Sequence, residues 1–236
     1  MTTLSQTEIE RNGVFEAQDK GGLPFRILMP ESTESTWALI LFLHGAGERG
    51  TDNELQLVNA IHTMAGPSVM EDFPALVVAP QCPLEQKWAN VDWSLPSHQL
   101  PTQASAPMQA AMQIVDALCD EHPIDRNRLY LIGLSMGGYG TWDALARYPQ
   151  RFAAAIPICG GADEATAPAI AHIPIWAFHG DQDDAVPVSR SRNMVEALRN
   201  AGGTPRYTEF KDVGHNSWDP AFEDPGLLPW LFAQHR

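Results

Sequence analysis

Leu129-Tyr130-Leu131-Ile132-Gly133-Leu134-Ser135-Met136-Gly137-Gly138-Tyr139-Gly140 decides the reading of this chain. An apolar run suited to a buried strand meets Gly-x-Ser-x-Gly, and a helical pattern begins at once. Strand, sharp turn and helix in that order lift a serine hydroxyl out of a sheet edge. The turn predicts a strained backbone at Ser135. Gly133 and Gly137 leave room where a side chain would meet the neighbouring strand or helix, and Gly138 and Gly140 let the helix pack closely. The free N–H groups and positive dipole end of that helix lie beside the serine, where an oxyanion would form. Trp142, on the same helix, is expected in the core.

Outward from this turn, strands alternate with helices. Residues Gly13 to Met29 read as a strand pair turned at Asp19-Lys20-Gly21-Gly22. Trp37 to Leu43, Ala75 to Ala79, Leu129 to Leu134, Phe152 to Ile158 and Ile173 to Phe178 are apolar runs of the buried, parallel kind. Pro205 to Phe210 is a shorter strand. Helical spacing marks Pro107 to Cys119 (Met108, Ala111, Met112, Val115, Leu118), Gly137 to Arg147, Ser189 to Asn200 before Gly202-Gly203, and roughly Gly226 to Gln234. The alternation predicts one α/β domain over residues 1–236, with a mostly parallel sheet covered on both faces. Too few residues separate Ile158 from Ile173 for a cap domain, so an open site is expected. The irregular stretch Pro80 to Ala106 follows the carboxyl end of a strand, the edge where open α/β sheets bind ligands. Its Trp88 and Trp93 favour an ordered segment that lines a pocket.

Composition narrows the partners. The chain of 236 residues is 44% apolar, and 15 basic against 29 acidic residues leave a net charge of −14. That balance opposes binding to a phosphate backbone or an anionic membrane and is read as solubility. Cys82, Cys119 and Cys159 form neither a disulfide framework nor a metal-ligand spacing, and buried free thiols are expected. The start, Met1 to Glu8, lacks a basic region and an apolar run, and no stretch approaches a membrane span. The expected location is the cytoplasm. No metal-ligand motif such as HExxH occurs, and no metal or cofactor is expected.

A serine hydroxyl is a poor nucleophile without a base, and the base needs a carboxylate to orient it. Two later strand ends offer both. His179-Gly180-Asp181-Gln182-Asp183-Asp184-Ala185-Val186-Pro187 is an acidic turn after one strand, and Val213-Gly214-His215-Asn216 follows the last. The chain order Ser, Asp, His agrees with this class of site.

Together with His44-Gly45-Ala46-Gly47, these motifs resemble the α/β-hydrolases of the phospholipase/carboxylesterase and dienelactone-hydrolase-like group. The segment from His44 to Asn53 and the Trp218-Asp219-Pro220 ending also resemble a subgroup described as predicted peptidases that consists largely of esterases. The resemblance implies Ser135 as nucleophile, His215 as general base and acid, and Asp183 as its orienter. Asp183 fits the spacing between His-Gly and Val-Pro, whereas Asp181 and Asp184 do not. It further implies an oxyanion hole from the backbone N–H groups of Ala46 and Met136, with Gly47 competing for the first position. Trp88, Trp93 and Trp218 are candidate substrate contacts. Glu48 and Arg49 are expected either to pair and hold the loop or to form a polar wall of the substrate pocket. His44 and His179 are expected to tie neighbouring loops. His62, His98, His122, His172 and His235 are expected at the surface or at helix ends. The implied activity is hydrolysis of carboxylic esters, with a rate that rises as His215 loses its proton near pH 6–7; the open site and the tryptophan-bearing loop, not the resemblance, point to short or aromatic acyl groups. The same triad serves a peptidase of the prolyl-oligopeptidase type or a thioesterase, and the fold serves non-catalytic binding modules.

Overall fold

In this computed structural model, which describes residues 15–20, 22–30, 32 and 34–236, the apolar runs form the strands of one sheet. They are β1 (Glu16–Lys20), β2 (Leu23–Leu28), β3 (Trp37–Leu43), β4 (Ala75–Pro80), β5 (Ile124–Leu134), β6 (Ala154–Ile158), β7 (Trp176–Gly180) and β8 (Arg206–Phe210). Their spatial order is β1-β2-β4-β3-β5-β6-β7-β8. The β1–β2 and β2–β4 pairs are antiparallel, and every pairing from β4 through β3 to β8 is parallel. Helices α1 (Pro67–Asp72), α2 (Ala106–Glu121), α3 (Met136–Arg147), α4 (Ala167–Ile170), α5 (Ser189–Asn200), α6 (Trp218–Glu223) and α7 (Leu227–Phe232) fill the connections. This is the α/β-hydrolase fold. The segment between β6 and β7 holds only a 3₁₀ turn and α4, with no cap domain.

Strand side chains alternate between faces. Leu39, Leu41 and Leu43 of β3 join Met108 and Val115 of α2, Trp142 of α3 and Met194 of α5 in one core. Ala38, Ile40 and Phe42 point the other way, onto Ala221 of α6 and Leu227 and Leu231 of α7. All three cysteines are buried and free.

Several boundaries differ from the sequence reading. β5 starts at Ile124, five residues early, because the polar run Asp125 to Arg128 hides a strand whose first residue pairs with Trp37. β7 runs from Trp176 to Gly180; Ile175 makes only an isolated bridge to Ala155. α1 and α6, at six residues each, are too short to carry a readable period. The reading of Met1 to Glu8, and the start of the first strand at Gly13, lie outside the described residues. Among the described residues, no helix is long and apolar enough to cross a membrane.

Candidate active site

Four strand ends converge on one edge of the sheet. β5 stops at Leu134, and Ser135 turns the chain into α3 with φ 54° and ψ −115°. A φ of that sign strains a non-glycine residue, and the strain projects the side chain from the turn. The packing leaves no room beside it. A Cβ on Gly137 would sit 1.8 Å from the Leu43 carbonyl oxygen, and one on Gly133 would sit 2.2 Å from that of Gly137. The Ser135 N–H donates to the Ile158 carbonyl at 2.9 Å, which ties the turn to β6.

Asp183 follows β7 and His215 follows β8. Ser135 Oγ lies 2.8 Å from His215 Nε2, and His215 Nδ1 lies 2.8 Å from Asp183 Oδ2. Asp183 Oδ1 accepts the N–H groups of Ala185 (2.9 Å) and Val186 (2.8 Å). Its Oδ2 lies 3.1 Å from His179 Nε2 as well. Burial opposes the charge of Asp183, but these donors outweigh it and hold the carboxyl well below its ordinary range. Burial likewise opposes protonation of His215. The bond to Asp183, with a smaller contribution from the neighbouring Cys159 Sγ, outweighs it and raises its proton affinity above the usual 6.5.

That direction moves the expected pH profile. A base must be neutral, so the rate rises with pH through the histidine pKa, and a raised pKa carries the rise upward. With His215 as the base that the resemblance implies, the acid limb of kcat/KM on an uncharged ester is expected above pH 6.5, in the upper part of the pH 6–7 window read from the sequence or beyond it. A limb centred below pH 6 contradicts this.

His179 is the residue sequence reasoning undervalued. It ties loops as expected, through Ser191 Oγ (2.7 Å) and the Val186 carbonyl (2.9 Å). It also reaches the Asp183 carboxylate four residues on, and the His-Gly-x-x-Asp spacing was the available signal. His44 is buried too. Its Nδ1 donates to the Gly45 carbonyl (2.6 Å), while Nε2 accepts the Cys82 N–H (2.9 Å). Burial pushes its pKa down to about 4, in keeping with a neutral ring that accepts. Asp181 serves a turn, accepting the Asp212 N–H at 2.7 Å.

A cavity of about 160 Å³ opens over the serine, lined by Ala46, Trp93, Ser135, Met136, Tyr139, Ala185, Val186 and His215. Ala46 and Met136 each begin a helical turn, so their N–H groups fall outside the ladder of that turn. Gly47 is not in the lining. Tyr139 and Val186 are wall residues the sequence reading missed, because only the folded edge brings them beside Trp93.

The other two candidate tryptophans stand outside this lining. Trp88 is fully buried and is not among the residues that line the cavity over Ser135. Its Nε1 donates to the His44 carbonyl at 3.0 Å, and its Cβ fills the space that a side chain at Gly140 would take. It is a strut between the His44 loop and α3. Trp218 packs edge-on against the His215 ring, centroids 5.5 Å apart, and is absent from the cavity lining.

The segment from 81 to 105 has no helix or strand, yet it is pinned. The buried Arg190 guanidinium donates to the carbonyls of Pro96 (2.8 Å) and Ala162 (3.1 Å) and contacts His98. Asp163 accepts the Leu100 N–H, Arg147 donates to the Pro101 carbonyl, and the Ser105 hydroxyl donates to that of Trp88. His98 is therefore part of a clamp and not the surface residue expected. Burial and the Arg190 charge push its pKa down to about 4. His62, His172 and His235 are exposed, and His122 caps α2.

Glu48 and Arg49 do not pair. Arg49 Nε donates to the Ala46 carbonyl (2.9 Å), while Glu48 Oε1 accepts from Asn59 Nδ2 (3.0 Å). The rest of the motif is a knot. Gln81 donates to the Glu48 carbonyl (3.2 Å) and Asp52 Oδ1 (2.8 Å), and it accepts the Asn53 N–H at 2.7 Å.

Among the described residues, one group has metal-ligand spacing: Cys159, Asp183 and His215, with donor atoms within 4.8 Å of one another. Its histidine and carboxylate already bond each other, and the carboxylate holds donors on both oxygens. The ligand atoms of this histidine and carboxylate are thus already engaged with each other and with backbone N–H groups.

Residues 26–225 match the model of the phospholipase/carboxylesterase family. The crystal structure of a thermostable esterase is 39% identical, with a TM-score of 0.87, over 97% of this chain and 64% of that one. A bifunctional acetylxylan esterase/xylanase of Neocallimastix patriciarum is 30% identical over 122 residues, 50% of this chain and 18% of that protein. A poly(3-hydroxyoctanoate) depolymerase of Pseudomonas fluorescens is 27% identical over 172 residues, 66% of this chain and 58% of that protein. The chain thus spans less than two thirds of the length of each of these relatives.

Proposed function

Because the chain belongs to the phospholipase/carboxylesterase family, we propose that it is a serine esterase working through Ser135, His215 and Asp183. The unbroken chain of short contacts from hydroxyl to imidazole to carboxylate carries this reading. Ser135 Oγ attacks the ester carbonyl while its proton passes to His215 Nε2. Asp183 keeps the proton on Nδ1 and stabilises the imidazolium. The N–H groups of Ala46 and Met136 hold the tetrahedral oxyanion. His215 then protonates the departing alcohol, and water repeats the sequence on the acyl-enzyme.

The cavity sets the acyl group. A dry cavity of about 150 Å³ holds one benzene, so about 160 Å³ suits a short chain or a single small ring. Trp93 forms a fixed wall, with Lys87 Nζ 4.2 Å over its ring and its carbonyl accepting from the Tyr139 hydroxyl at 3.3 Å. On a panel of acetate, butyrate, octanoate and feruloyl esters, kcat/KM is expected to favour acetate and butyrate over octanoate by at least roughly tenfold. Trp93→Ala is expected to narrow that ratio. Wild-type preference for octanoate, or an unchanged ratio in the variant, contradicts this assignment. Faster cleavage of the matched amides would favour a peptidase.

A further inference from the structure

We propose that Glu48 is a positioning residue for the oxyanion loop: its carboxylate reaches back along the Ala46–Glu48 turn to Gly45 and anchors that turn to Asn59. The proposal rests on reading the Ala46 N–H as an oxyanion donor. Gly45 caps the turn with extended φ and ψ of −77° and −176°. A glutamate three residues past such a cap is placed to meet the cap's own N–H, which is half of a capping box.

The close approach is visible in what Gly45 excludes. A Cβ there would come within 2.8 Å of Glu48 Oε2 and 3.6 Å of Ser135 Cβ. Oε2 therefore lies close against Gly45, on the side of that residue that Ser135 also borders. It is shielded from solvent and faces the Gly45 N–H in a contact looser than a full hydrogen bond. Oε1 is held by Asn59, whose own φ of 67° is fixed in the left-handed region. The Glu48 carbonyl is taken by Gln81. The turn is thus gripped by its side chain on one side and its backbone on the other.

Burial raises the proton affinity of this carboxyl, so its position carries a cost. Arg49, its neighbour in sequence, points to Ala46 and Gln86 and supplies no offset. His215 is the titratable group whose positive charge, once it has taken up a proton, favours the ionised carboxylate. The arrangement makes sense if it fixes the direction of the Ala46 N–H before substrate arrives, since donors fixed in advance need no reorganisation during reaction.

The test compares Glu48→Ala, Glu48→Gln and Asn59→Gly with wild type on a short-chain ester. Removing an oxyanion donor costs about 10²–10³ in rate, and a donor left in place but misdirected costs less. Glu48→Ala is expected to lower kcat by roughly 10- to 100-fold with KM within about threefold. It should weaken a trifluoromethyl ketone analogue of the tetrahedral intermediate by a similar factor. Glu48→Gln keeps an acceptor for Gly45, and the Asn59 amide can turn to meet its NH₂, so this variant should stay within about threefold of wild type. Asn59→Gly tolerates the positive φ and should show a smaller loss, also confined to kcat; it stands in if Glu48→Ala does not fold. Wild-type kcat in Glu48→Ala, equal losses in the Ala and Gln variants, or a loss confined to KM each overturns the proposal. Failure of the triad reading is separate: there, Ser135→Ala keeps its activity.

Discussion

Ser135→Ala is expected to lower kcat for p-nitrophenyl acetate by roughly 10⁶, the scale on which loss of a triad nucleophile is felt. The hydroxyl makes the covalent bond in the acyl-enzyme, and no other group in the cavity lining replaces it. Cys159 Sγ lies within 4.8 Å of the His215 and Asp183 donor atoms, but the residue is fully buried and is not among the lining residues. The remaining rate above that in water comes from the oxyanion donors and from binding, so KM should change little. Ser135 is strained at φ 54°, and alanine keeps the same backbone demand, so the variant should fold like wild type. Single-turnover kinetics and a thermal melt check both points. Loss of less than about tenfold would remove Ser135 from the chemistry.

Asp183→Asn is expected to lower kcat by roughly 10⁴. The local hydrogen bonds make the effect specific. Oδ1 receives two backbone N–H groups, and Oδ2 receives His215 and His179. An asparagine amide has one oxygen, so its NH₂ meets donors whichever way it turns. If the amide faces His215, the imidazole must carry its proton on Nε2, where it can no longer accept from Ser135. The measurement is kcat/KM across pH 5–10 in wild type and variant. A variant within tenfold of wild type, with an unchanged acid limb, would show that His215 is oriented by something else.

The residues proposed to carry chemistry were readable as candidates because each follows a strand end, where an apolar run breaks into glycine and polar residues. The elbow was the clearest case. Its glycines answer to backbone contacts at 1.8 Å and 2.2 Å, which leave the motif little freedom. Contacts made across the fold were not readable. Trp88 lies in an irregular segment rich in Pro and Gln and reads as a pocket wall. Only the groove left by Gly140 and the His44 carbonyl, 44 residues away, draw it inside. The Glu48–Arg49 pair looked sufficient in sequence, but Asn59 and Gln81 arrive from other loops and take the glutamate instead. The fixed loop over the site has the same origin. A buried arginine on α5 and aspartate and arginine side chains from two other places hold its backbone, and none of them is near it in sequence.

The most direct test of the central claim, that His215 makes Ser135 a nucleophile, is the intact mass and peptide map of the protein after exposure to a fluorophosphonate. Wild type is expected to gain one phosphonyl group on Ser135, with His215→Ala and Ser135→Ala gaining none. An esterase-active wild type that stays unlabelled, or that carries the group on another residue, contradicts the account.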